Sequence, residues 1–420
     1  MKITGVRTVL CSTPHRNQFM PARQMRSAGF VLIETNTELV GIGETYAGYF
    51  VPEQVPAAVE FYAPILIGAD PLEVDILYQR MFYCSKFWGR VGLGSIVLSG
   101  IEMALLDLKG KALKVPVYEL LGGRCHETLP AYASGGPSYW PEDKLVGTVE
   151  CYIKTGYNAV KLGVGLYEDG DGEFKPNLRD STAVGAAATE AMKAELLRKK
   201  FGDSFQLLLD GHMDNRVEGD QVWTEATAAA VVAAVAPYGI GFLEEPLPYT
   251  DWRPYAALRK RSEIPIAGGE CLTSLEEWRD WMLTDPAFDV AQVDAAFMGG
   301  LTNFIKIAHL CELHGIPIAT HCNTTAVGLA GNLHAAFACR NTRILEMHPF
   351  NPSDPSKNSH MVVPAHTDLW IEPPELKNGR LRLADTPGLG IKLPADFINR
   401  YPFQPGTGEF NSVKGKILMT

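Results

Sequence analysis

The chain has 420 residues, 46% hydrophobic and 20% charged, a globular composition that excludes disorder as its main state. At roughly 150 residues per domain, this length suits two or three domains, or one large barrel with a smaller companion. The formal charge of −10 supplies no field for holding phosphate backbones, which argues against a nucleic-acid partner.

In chain order, residues 2–10 and 29–34 alternate apolar and polar side chains, as half-buried strands do. Residues 41–48 read as a glycine-rich turn, and 52–67, 72–87 and 95–113 carry helical periodicity. These elements make an α+β block over residues 1–125. From residue 128 the rhythm changes to short apolar runs, each followed by a helical stretch. The runs are 129–134, 159–162, 206–210, 239–244, 264–268, 290–294, 316–320 and 343–346, with helices expected at 182–201, 224–236, 275–284, 301–314 and 325–340. Eight βα units over residues 126–350 predict a (β/α)8 barrel, an α/β fold. The structural rival is a doubly wound open sheet, and no GxGxxG follows an early strand to support its dinucleotide-binding version. The tail, 351–420, returns to strand-like text at 368–372 and 379–383 and is expected to pack on the N-terminal block rather than extend a closed barrel.

The N-terminus has no apolar run of signal-peptide length. The longest stretch free of Asp, Glu, Lys, Arg and His, 226–243, is broken by Pro237, Gly239 and Gly241, so it reads as helix, turn and strand rather than a membrane span. Eight scattered cysteines without a CxxC pair read as reduced packing residues of a cytoplasmic protein.

Chemistry in such a barrel sits at the C-terminal ends of its strands. Seven consecutive runs end in ionisable groups: Lys161, Asp210 with His212, Glu244 with Glu245, Glu270, Asp294, His321 and Glu346. Asp210, Glu244 and Glu270 crowd three negative charges, which a hard divalent cation would neutralise, and oxygen-only ligands select Mg2+. Asp294 and His321 end neighbouring strands, and a carboxylate on an imidazole raises its basicity, so His321 reads as a general acid/base. His212 can ligate the metal, donate a proton or bond the rim, and proton donor is the preferred reading. Glu346 can orient His321 or bond substrate, and Lys161 can meet the substrate carboxylate or the acidic cluster. The plainer alternatives are helix caps and rim ion pairs. The loop at 166–181 is long for a βα connection and is expected to cover the site or serve oligomer contacts, with Lys175 and Arg179 more simply solvated.

These residues resemble the enolase superfamily, in its mandelate racemase-like subgroup. The likeness extends to GIEMALLDLKGKALKVPVYELLGG at 100–123 and DTPGLGIKL at 385–393, and covers nearly the whole chain. The resemblance implies an α+β capping domain, built from the N-terminal block and the tail, over a modified (β/α)8 TIM barrel. It implies Mg2+ on Asp210, Glu244 and Glu270, an Asp294–His321 dyad, Glu346 on substrate, and a homo-oligomer. It also implies closing loops near residues 14–25 and 44–51. The subgroup often has Lys-x-Lys on the second barrel strand, whereas this chain has Lys161-Leu162-Gly163. Asp210-Gly211-His212 is similar to sugar-acid dehydratases of the galactonate dehydratase kind, in which the histidine is the acid for the departing hydroxyl. The expected reaction is therefore Mg2+-dependent dehydration of an aldonate or aldarate, by α-proton abstraction and loss of the β-hydroxyl, to a 2-keto-3-deoxy acid. The rival readings are a racemase or epimerase of a hydroxy acid and a non-catalytic ligand binder.

Overall fold

The computed structural model describes residues 1–14, 25–136, 138–170, 173–176, 182–214, 222–352, 354–358 and 362–408. Most of the expected closing loop at 14–25, and Arg179, lie outside the described residues. Lys175 falls on Glu173–Pro176, which pairs antiparallel with Tyr167–Gly170, so the loop after the second barrel strand contains a hairpin.

The chain opens with an antiparallel meander of β1 (Ile3–Pro14), β2 (Met25–Thr35) and β3 (Val40–Thr45). Helices α1 (Val55–Leu66), α2 (Val74–Gly89) and α3 (Leu93–Leu113) follow. Gly41 and Gly43 belong to strand β3 and Gly48 to the short helix Ala47–Phe50, so residues 41–48 are not the glycine-rich turn expected. A Cβ on Gly41 would lie 2.1 Å from the Ala104 carbonyl oxygen, and one on Gly43 2.1 Å from that of Gly100. Glycine therefore serves the close seating of α3 on the sheet.

The barrel strands are β4 (Leu129–Ser134), β5 (Ala159–Gly163), β6 (Gln206–Asp210), β7 (Leu243–Glu244), β8 (Ile266–Gly268), β9 (Val290–Val293), β10 (Ile318–Thr320) and β11 (Thr342–Met347). Each runs parallel to its neighbours, and β11 pairs with β4 to close the ring. Thr182, Thr224, Asp251, Ser274 and Thr325 cap the helices after five of these strands, each side chain accepting a backbone N–H of the first turn. Among the described residues no long helix follows β11; the chain instead reaches the short Pro364–Thr367.

Side chains two apart on a strand share a face. Tyr132, Ala159, Leu208, Phe242, Ala267, Ala319 and Ile344 pack together in a cluster separate from the main core, one from each of seven neighbouring chain segments. The residues two positions further on are Ser134, Lys161, Asp210, Glu244, Gly269, His321 and Glu346. The apolar layer is thus the floor of the site, and strand periodicity lifts the ionisable groups directly above it.

The tail departs from expectation in part. Residues 368–372 form no strand beyond a single bridge, Trp370 to Ile391. A hairpin of β12 (Glu375–Lys377) and β13 (Arg380–Arg382) joins the barrel, with β13 antiparallel to the start of β4. Further along, the Gln404 N–H donates to Ser12 Oγ, and Leu389 N–H to the Asp107 carboxylate. Among the described residues no helix is long and apolar enough to cross a membrane. All eight cysteines are free; Cys11, Cys311, Cys322 and Cys339 are buried, but Cys84 and Cys125 are exposed and are not packing residues.

Candidate active site

Strands β5, β6, β7 and β11 bring Lys161 into a ring of carboxylates. Its Nζ lies 2.7 Å from Glu244 Oε2, 2.9 Å from Asp210 Oδ2 and 3.1 Å from Glu346 Oε1. Burial alone would favour a neutral amine, but these three carboxylates hold Lys161 charged and push its pKa well above the usual lysine value. One ammonium cannot satisfy all these acceptors. Burial first, and Asp210 second, drive Glu244 well above the usual carboxylate range.

Glu270 follows β8. Burial would raise its pKa, yet His321, then His212 and Lys161, bring it down to about 2. Its Oε2 lies 3.4 Å from His321 Nε2. On the other side of that ring, Nδ1 is 2.8 Å from Asp294 Oδ2. Burial would lower His321, but Glu270, Asp294 and Glu346 raise it to about 10. Asp294 is locked in turn: its Oδ1 accepts from Ala296 N–H at 2.8 Å and from Asn332 Nδ2 at 2.9 Å. Glu346 Oε2 accepts the Cys322 N–H at 2.7 Å, so it anchors the backbone beside His321 while Oε1 faces Lys161. His212 stands partly exposed in a left-handed conformation, φ 48°, with Nδ1 3.0 Å from Asp210 Oδ1. The two imidazoles thus approach the carboxylate cluster from different strands. Tyr46, from the N-terminal block, places its ring 6.0 Å from that of His321.

All eight residues expected from the sequence therefore meet at one mouth. Sequence reasoning missed Asn332, which shares the helix Ala326–Ala338 with a second polar residue, His334, so no local pattern singles it out. It also missed Tyr46, which no local pattern distinguishes.

The donor chemistry suits a hard divalent cation. Glu244 Oε1 and Glu245 Oε2 are buried without hydrogen-bond partners, and Asp210 Oδ2 and Glu270 Oε2 have nothing beyond their ion pairs with Lys161 and His321. Such orphaned acceptors are costly unless something positive meets them. The tightest grouping of donor atoms is Glu245, Glu270 and Cys271, all within 4.8 Å of one another. We favour Asp210, Glu244 and Glu270 instead. Burial, then Glu245, raises the Cys271 thiol well above its ordinary value, which withholds the thiolate, and oxygen donors match Mg2+. Lys161 accounts for the looser spacing, because it draws Asp210 and Glu244 toward itself.

Comparison with known proteins places the family. Residues 144–397 match the family model described as enolase C-terminal domain-like. Residues 3–122 match that of the mandelate racemase/muconate lactonizing enzyme N-terminal domain. The D-galactonate dehydratase of Pectobacterium atrosepticum is 32% identical, over 95% of this chain and 94% of the relative. The arabinonate dehydratase of Saccharolobus solfataricus is 29% identical, over 88% of this chain and 89% of the relative. The crystal structure of L-talarate dehydratase from Polaromonas sp., complexed with Mg and L-glucarate, is similar with a TM-score of 0.77. It is 27% identical and covers 96% of this chain and 98% of its own. With both of its parts matched and the barrel mouth built as described, the chain belongs to the enolase superfamily, in the mandelate racemase/muconate lactonizing enzyme branch.

Proposed function

We propose that this enzyme is a hydro-lyase that dehydrates a sugar acid, an aldonate or aldarate, with Mg2+ on Asp210, Glu244 and Glu270. The observation that carries this reading is the pair of imidazoles at one carboxylate cluster: His321 Nε2 is 3.4 Å from Glu270 and His212 Nδ1 is 3.0 Å from Asp210. When bound, Mg2+ stabilises charge developing on the substrate carboxylate and offsets the Glu270 charge that holds His321 protonated. Neutral His321 takes the proton from the α-carbon, and Asp294 stabilises the imidazolium that results. Lys161 places positive charge beside the reacting carboxylate. The C–H electron pair passes first into the substrate carboxyl group and then forms the Cα=Cβ bond as the β-carbon–oxygen bond breaks. His212 gives its proton to the departing oxygen, which leaves as water. The enol then tautomerises to a 2-keto-3-deoxy acid.

Position 163 is a glycine, two residues beyond Lys161 on the same inward face of β5, so that strand offers no second base for returning a proton. This favours elimination over racemisation. The L-glucarate bound in the Polaromonas protein and the names of the two dehydratase relatives support the substrate class. The test is a screen of aldonates and aldarates with Mg2+ for 2-keto acid formation. It is paired with His212→Asn in D2O, where deuterium should enter the α-carbon while elimination slows. No keto acid from any sugar acid would sink the reaction. Elimination at the parent rate in His212→Asn would remove that residue as the acid.

A further inference from the structure

We infer that Arg26 receives a second carboxylate of the substrate, so the substrate is a sugar diacid rather than a monoacid; this rests on the sugar-acid reading of the site. Arg26 lies on β2 of the N-terminal block and is only 5% exposed. One arm of its guanidinium reaches the barrel: Nη2 donates to the Asn323 backbone carbonyl and, at 2.9 Å, to Asn323 Oδ1. Its plane sits over the Tyr49 ring, 4.4 Å from the centroid. Among the described residues no carboxylate lies within 4.0 Å of it, and Nε and Nη1 have no hydrogen-bond partner. The Glu44 carboxylate feels its charge, but both Glu44 oxygens are occupied by Thr325 and Gly328. Residues 15–24, next to Arg26 in sequence, include no Asp or Glu.

A buried guanidinium with two nitrogens unmet and no carboxylate in contact is costly, and its planar fork suits a carboxylate. Its position points to substrate. Asn323 is two residues from His321, and Tyr46, 6.0 Å from the His321 ring, stands 5.4 Å from Tyr49 beneath Arg26. One end of a diacid then meets the Lys161 and Glu244 side of the mouth, the α-carbon faces His321, and the far carboxylate reaches Arg26. A monoacid would leave the guanidinium facing a neutral hydroxyl.

Calorimetry with adipate and hexanoate tests this in Mg2+-supplemented enzyme, because neither can be dehydrated. Adipate should bind about tenfold tighter or better. Arg26→Met should abolish the preference, and Arg26→Lys should keep part of it. For turnover, the ratio of kcat/KM for an aldarate over its matching aldonate should fall about 100-fold in Arg26→Met, mainly through KM. Equal or undetectable binding of the two probes by the parent enzyme overturns the inference, as does an adipate preference that survives Arg26→Met. A preference lost in Arg26→Met, in a parent that turns over no sugar acid, supports the Arg26 site while overturning the dehydratase reading.

Discussion

Two groups of wholly or largely buried carboxylates in this molecule differ in what meets their oxygens. Glu44, Glu102 and Asp107 lie on the N-terminal block. Glu44 accepts from Thr325 N–H at 3.1 Å, Thr325 Oγ1 at 2.6 Å and Gly328 N–H at 2.8 Å, and so caps Ala326–Ala338. Glu102 caps Leu301–Leu313 in the same way, through Leu301 N–H at 2.9 Å and Thr302 N–H at 3.0 Å. Asp107 accepts from Ile42 and Leu389 N–H, each at 2.9 Å. Helix N-termini offer unmet N–H groups and partial positive charge, so Glu44 and Glu102 are satisfied joints between the N-terminal block and the barrel helices, while Asp107 ties β3 and the tail to α3. At the barrel mouth, Glu244 Oε1 has no hydrogen-bond partner, and Asp210 Oδ2 and Glu270 Oε2 have only ion pairs, with Lys161 and His321 respectively. Burial alone does not mark a site. Unmet acceptors do.

The comparison can be broken by substitution. The largest effect is expected from His321→Asn, which should melt close to the parent temperature yet lose about 10²- to 10⁴-fold in kcat. A kcat near that of the parent would make the dyad structural. Glu44→Ala belongs to the other group and should act oppositely: about 2–3 kcal/mol lost in urea unfolding, because Thr325 and Gly328 N–H are left unmet, with Mg2+ affinity unchanged. Asp294→Asn should be milder than His321→Asn, about 10- to 100-fold in kcat, since it removes orientation and basicity but not the imidazole.

The smallest effect concerns His334, which is buried and held to about pKa 3, first by burial, against an ordinary value of 6.5. The unfolded chain binds its proton at the higher pH. Stability from this group is therefore complete above pH 6.5 and falls as pH drops toward 3, by up to ~1.4 kcal/mol per pH unit. Urea midpoints of His334→Gln should show a shallower acid slope than the parent. An identical slope would count against the burial argument.

The site was legible because strand period is two. An apolar floor residue such as Leu208 or Ala319 fixes which face Asp210 and His321 take, so the local text LLLD or IATH carries the geometry. Asn332 and Arg26 were not legible. Asn332 acquires its role by meeting Asp294 across 38 positions, and Arg26 meets Asn323 across 297, distances no local pattern spans. Glycines 41 and 43 misled for a related reason: the same residue serves a turn or a close helix approach, and only the position of α3 decides. Residues 368–372 carry a short strand-like apolar run but find one bridging partner, Ile391, instead of a ladder.

The most direct measurement is a calorimetric Mg2+ titration of Glu244→Gln and Glu44→Gln beside the parent, with unfolding curves on the same metal-free samples. Glu244→Gln should lose Mg2+ binding and be as stable as the parent or more so, because a crowded buried charge is removed. Glu44→Gln should bind Mg2+ as the parent does and be less stable. Parent-like Mg2+ affinity in Glu244→Gln, or weakened affinity in Glu44→Gln, would contradict the division between the two groups of carboxylates and the metal site built on it.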